Sequence, residues 1–98
     1  MKIKFHPRVN ADVKAIVRYY DKHSDLAGDW FLDELQQTLE KLKQAPERHH
    51  FVTATHRRLN LTRFPFHLIY DMVEDYIRVQ VVRHHRRNPT FGMKRRWQ

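Results

Sequence analysis

FHLIYDMVEDYIRVQVVRHH, residues 66–85, is the stretch whose reading decides the fold. Its first eight residues, FHLIYDMV (66–73), form a nearly continuous apolar run, the pattern of a strand in the middle of a sheet. Glu74 and Asp75 then supply a tight turn, although they lack the favoured Asn-Gly chemistry. YIRVQVVRHH (76–85) alternates. The alternation predicts Ile77, Val79 and Val81 on one face, and Arg78, Gln80, Val82 and His84 on the other. Two strands joined this closely make an antiparallel hairpin, and the rest of the chain must cover it.

Upstream, RRLNL (57–61) alternates more weakly and reads as a third strand. Pro65 stands just before the apolar run, where its missing N–H is tolerated only at a strand's beginning. Residues 63–65 are therefore a corner, and Arg63 is expected at the sheet's edge, free to reach a basic face. Downstream, Asn88-Pro89 ends the hairpin, and the basic tail of residues 88–98 is assigned no structure.

The N-terminal half reads differently. KIKF (2–5) alternates like a short, half-buried strand. Pro7 can open a helix in which Val9, Val13, Ile16, Val17 and Tyr20 keep helical spacing, ending near Lys22–His23. Ser24 is a good N-cap for a second helix, with Asp25 in its first turn. Its stripe is Ala27, Phe31, Leu35, Leu39 and Leu42, widened by Trp30 and Leu32, and it stops before Pro46. The short connection implies an antiparallel helical hairpin. Residues 46–56 form a loop. The order β-α-α-β-β-β is an α+β class: one strand, then a helical hairpin packed on one face of a small, mostly antiparallel sheet. The other face, bearing Arg78, Gln80, His84 and some arginines of 57–63, is left without a helix and is expected to be open and cationic.

Composition narrows the function. With 98 residues, a single domain over 1–98 is expected. There is no cysteine, which excludes disulfides, thiolate metal sites and thiol nucleophiles and suits a cytoplasmic location. MKIKFHPRVN has no apolar signal-peptide core, and no apolar run is long enough for a membrane helix. The net charge is +8: residues 1–9 contribute +3, residues 10–44 give −2 and residues 45–98 give +7. Arginine dominates the cationic half, and its planar fork suits phosphate and carboxylate. A polyanionic partner follows, either nucleic acid or an acidic protein segment. The pairs His49-His50 and His84-His85 offer about one ligand per strand face, so no metal and no cofactor is expected. Asp12, Asp21, Asp25, Asp29 and Asp33 read as caps and a solvated helix face. Tyr20 is expected in the core, Tyr19 at the surface of the hairpin, and Trp30 mainly in packing.

Three stretches carry a family resemblance. IVRYYDKHSDLAGDWFLDEL (16–35) is similar to a pattern in which a Tyr-Tyr pair closes helix one and Ser-x-x-x-Ala opens helix two, although Ser24 and Ala27 stand three residues apart. RRLNLTRFPFHLIYDMV (57–73) resembles an Arg-x-Phe-Pro-aromatic-x-Ile-x-Tyr strand, with Arg63 directly before Phe64 and Leu68 in the isoleucine's place, and VQVVRHHRRNPTF (79–91) resembles a closing Val-x-His-x-Arg-Arg-x-Pro. Together they resemble the RelE/ParE superfamily of toxins from bacterial type II toxin–antitoxin modules, and the closing motif is nearer the ParE-like branch. The resemblance implies growth arrest, a role in plasmid stabilisation, and neutralisation by an antitoxin with an acidic, partly disordered segment. For the ParE-like branch it implies DNA gyrase as target; for the RelE-like branch, mRNA cleavage on the ribosome.

The chemistry available suits either polyanionic target. Arg58, Arg63, Arg78, Arg83, Arg86 and Arg87 are candidates for binding target or phosphate. Tyr19, Trp30, Arg63 and Phe91 are candidates for binding antitoxin. Metal-free RNA cleavage needs a base, an acid and cations around the phosphorane. Arg58, Arg63, Arg83 and Arg86 would supply the cations, with His84 or His85 as acid or base. Against a nuclease, RelE-like enzymes use lysines on the second strand and a C-terminal tyrosine. This chain has no lysine between Lys43 and Lys94, and carries Phe91 where a tyrosine could lie. A third reading is a non-toxic basic nucleic-acid-binding module, although no helix-turn-helix or RNP-type signature supports it.

Overall fold

In the computed structural model, which describes residues 1–97, β3 (Phe66–Val73) and β4 (Tyr76–His84) pair antiparallel across a turn at Glu74 and Asp75. Glu74 takes a positive φ of 56° to make that turn. β2 (Arg57–Asn60) adds antiparallel to β3, and β1 (Lys2–Phe5) adds parallel to β4, giving the order β1-β4-β3-β2. The apolar 66–73 run is thus a central strand, as its pattern predicts.

The helices α1 (Val9–Asp21) and α2 (Ala27–Gln44) lie over one face. Phe31, Leu35 and Leu42 of α2 and Ile16 of α1 meet Phe66, Leu68, Tyr70, Ile77 and Val79 in a shared core. Tyr20 joins it with its ring beside Phe31, Phe64 and Phe66. Burial of this kind is worth roughly 1.5–3 kcal/mol for each large apolar side chain. The buried Tyr70 hydroxyl donates to the Pro46 carbonyl at 2.6 Å, which fastens the chain leaving α2 to the sheet. Ser24 is not the N-cap of α2. The helix begins later, with Leu26 at that position, and the Ser24 hydroxyl instead accepts the Leu26 N–H in the connecting turn.

One register shift reorganises β4. Ile69 pairs with Val81 and Tyr70 with Val79, so Gln80 is an extra residue, a β-bulge. Beyond it the expected facing is reversed. Val82 turns to the helices, and His84 lies beside Phe66 on that same side, while Gln80 and Val81 meet the tail. Strict alternation has no means of anticipating this slip, since one added residue flips every later side chain.

The second sheet face is not open along β4: the tail lies across it. Gln80 Nε2 donates to the carbonyls of Gly92 and Arg95 at 2.9 Å each, and its Oε1 accepts from Trp97 Nε1 at 2.6 Å. Gly92 adopts φ +80°, and a Cβ there would meet Val81 Cγ2 at 2.5 Å. Only glycine lets the tail lie this close to the strand. We expect Gly92→Ala to destabilise the fold by about 1–3 kcal/mol, from strain in this backbone conformation together with the clash. A urea midpoint unchanged from wild type would show that the tail is not held as described.

Candidate functional site

The arginines expected on one basic face divide into structural and available groups. Arg78 is structural: its Nε and Nη2 donate to both carboxylate oxygens of Asp71 at 2.9 and 2.7 Å, and the Trp97 ring lies 4.7 Å from its guanidinium carbon. Arg83 is buried, and its Nη1 donates to the Pro89 and Phe91 carbonyls at 2.7 and 2.9 Å. Neither is presented to a target as the pattern suggested. Arg63 is also displaced from the expected face. The half-buried Phe64 beside it packs into the helix-side core, and Arg63 lines a groove along α2 with Trp30, Asp33, Gln37 and Lys41.

That corner is held by Glu34, an acid the sequence reading did not single out. Its buried carboxylate accepts the backbone N–H of Thr62 and, at 2.9 and 3.0 Å, that of Arg63. Charge-assisted bonds of this type are shorter and stronger than neutral ones. Thr38 donates to the Glu34 carbonyl at 2.8 Å. The available signal was polar residues four apart, Glu34 and Thr38, lying beside the Phe31–Leu35 stripe.

Of the antitoxin-binding candidates, Tyr19 is 58% exposed and Trp30 56% exposed. The structure places both on the hairpin surface, Trp30 outside the core rather than in packing. Leu26 and Leu32 are also exposed there. Phe91 lies elsewhere, at the tail, with the Arg87 guanidinium stacked 3.9 Å from its ring. Arg87, Arg8, His84 and Phe91 line a separate groove between α1 and the end of β4. His84 Nδ1 accepts the N–H of Arg86, whose side chain is exposed.

The remaining candidates form a chain on the half of the second face near β2. Arg58 Nε donates to Asn60 Oδ1 at 2.7 Å, and its Nη2 donates to His85 Nδ1 at 3.2 Å. His67 Nδ1 lies 2.9 Å from His85 Nδ1, and Arg83 Nε donates to His67 Nε2 at 2.9 Å. The two imidazoles are nearly parallel, 9° apart. The sequence reading named Arg58, Arg83 and His85 but missed His67, which was hidden inside an apolar strand. Among the described residues no cluster of three or more His, Asp or Glu side chains is arranged to hold a metal.

His67 is held neutral. Burial first, then the charges of Arg58 and Arg83 and the neighbouring His85, push its pKa from 6.5 down to about 3. The unfolded chain therefore takes up a proton below pH 6.5 that the native chain refuses, and stability falls as the pH drops from 6.5 towards 3. The loss approaches about 1.4 kcal/mol per pH unit in that window. We expect His67→Gln to flatten the acid dependence of the urea midpoint between pH 7 and pH 5. Equal acid sensitivity in wild type and variant would remove His67 from this role.

Residues 3–89 match the family model described as the ParE toxin of the type II toxin–antitoxin system, parDE. A solved structure titled as the chromosomal ParDE toxin–antitoxin system from P. aeruginosa superposes with a TM-score of 0.63, at 22% identity. The match covers 86% of this chain and 95% of that one. Among curated proteins, no sequence matches. No helix of the described residues is long and apolar enough to cross a membrane. A strand, a helical hairpin and a basic antiparallel sheet, with the family model matching nearly end to end, lead to one assignment: the chain belongs to the ParE toxin family of type II toxin–antitoxin systems.

Proposed function

We propose that this protein arrests bacterial growth from within the cytoplasm by inhibiting DNA gyrase, and that a cognate antitoxin neutralises it. The observation that carries the reading is the family match over residues 3–89, and the distribution of exposed groups supports it. Trp30 shares a groove with Arg63 and Lys41, and Tyr19, Leu26 and Leu32 expose further apolar surface on the helical hairpin. An acidic, partly disordered antitoxin segment would fold over that surface, burying the apolar groups and pairing with the cations. Such a toxin, carried beside its antitoxin, would serve plasmid stabilisation.

A second reading is ribosome-dependent mRNA cleavage, which the solvent-facing Arg58 and His85 favour. Phe91 has no proton to shuttle, which weighs against it. A non-toxic nucleic-acid-binding module is the third.

Induced expression with pulse-labelling of DNA and protein synthesis over the first minutes separates the three. We expect DNA synthesis to fail first. Early failure of protein synthesis would favour the nuclease, and unimpaired growth would remove the toxin reading. In the same assay Arg63→Glu and Arg86→Glu are expected to weaken toxicity more than Asp33→Ala. Equal toxicity of all three variants would exclude these arginines from target binding.

A further inference from the structure

The Arg58–His85–His67–Arg83 chain contains more than a structural role explains. Arg83 is buried and needs acceptors, so its bonds to His67, Pro89 and Phe91 are what folding requires. Arg58 is different. It is only half-buried, can reach water, and has no need of an imidazole acceptor. Yet two side chains fix its guanidinium, Asn60 at Nε and His85 at Nη2. Among the described residues none of the ion pairs involves Arg58, and its Nη1 has no partner. A guanidinium is thus oriented, uncompensated and facing solvent.

The proton inventory extends this. Arg83 Nε always carries a hydrogen, so His67 Nε2 must be the acceptor in their 2.9 Å contact. A neutral His67 then carries its proton on Nδ1 and donates it to His85 Nδ1. Arg58 Nη2 donates to that same His85 nitrogen. With Nδ1 committed as acceptor, the proton of neutral His85 sits on Nε2, which has no partner among the described residues, and the residue is exposed. Two donors, His67 (as set by the buried Arg83) and Arg58 itself, therefore both require that His85 carry its hydrogen on Nε2.

We propose that Arg58 Nη1 and His85 Nε2–H bind one phosphate-type oxyanion, with His67 as the residue that positions His85. The ligand is either a free phosphate group or one phosphodiester of a nucleic-acid strand. An oxyanion takes one hydrogen from each donor and supplies the negative charge that this part of the sheet lacks. The proposal concerns binding alone and does not depend on gyrase being the target.

The test is imidazole nitrogen–proton NMR on the purified full chain. Without ligand, His85 is expected as the Nε2–H tautomer; an Nδ1–H tautomer would overturn the positioning role of His67. Inorganic phosphate, titrated against chloride at equal ionic strength, should shift the His85 signals saturably. Arg58→Gln, which leaves the buried residues untouched, should weaken that response at least tenfold. No shift beyond the chloride control, or unchanged affinity in Arg58→Gln, would overturn the site. A short single-stranded oligonucleotide distinguishes the sources. Competition with phosphate at lower concentration supports a strand phosphodiester, and phosphate binding without oligonucleotide binding supports a free phosphate. In Arg58→Gln the Nε2–H tautomer of His85 should persist, because His67 still donates to Nδ1, and its loss there would exclude positioning by His67.

Discussion

The carboxylate of Asp12 closes a gap that the sheet cannot close by itself. β1 has four residues and β4 has nine, so β1 leaves β4 after Phe5 pairs with Val79. Past that point β4 presents backbone groups with no strand to receive them, and buried backbone groups demand partners. Asp12, on α1, accepts the Val82 N–H at 3.1 Å. Arg95, from the tail, donates to the Gln80 carbonyl at 3.2 Å and grips Asp12 with two bonds of 2.7 Å. One acid thereby joins a helix, a strand edge and the tail. Removing one partner from a buried ion pair costs about 3–5 kcal/mol, a large share of the roughly 5–15 kcal/mol that stabilises a typical domain. The bulge at Gln80 sits at this same point, where its side chain receives the tail while its carbonyl receives Arg95.

How much of this could be read from the chain depends on the range of each interaction. The apolar run of β3, the helical stripes and the Pro65 corner follow from neighbours a few residues apart, and the structure keeps them. Asp12 looked like a solvated helical acid because its partner, Arg95, is far away in sequence. Glu34 was passed over for the same reason, since Thr62 and Arg63 lie across the fold from it. The tail had no periodicity to read, because Gln80 and Arg83 hold it through its carbonyls, which every residue possesses. His84 and His85 exchanged their expected faces because the bulge is recorded in no local pattern.

The net charge of +8 is accordingly not one patch. Arg78 and Arg95 pair with acids, and Arg83 is enclosed. These arginines organise the sheet and its tail. Arg58, Arg63, Arg86 and Arg87 remain accessible, but they stand at different places: the open half of the second face, the groove along α2, and the end of β4. A polyanionic partner meeting this surface would encounter separated points of contact, each with its own neighbours, which favours shape-dependent recognition over a general attraction.

The parallel pairing of β1 with β4 also constrains the order of events during synthesis. Lys2 pairs with Tyr76 and Phe5 with Val79, so the first strand made must wait for the last one. His6 donates to the Arg96 carbonyl at 2.8 Å, and its ring meets the Trp97 ring edge-on, so the beginning of the chain is completed only by the tail. Long-range closures of this kind are slow to form and cannot begin while their partners are still being assembled. A nascent chain halted before β4 can build the helical hairpin but has nothing to receive β1. Interrupted translation before residues 76–79 therefore yields a product without the finished sheet.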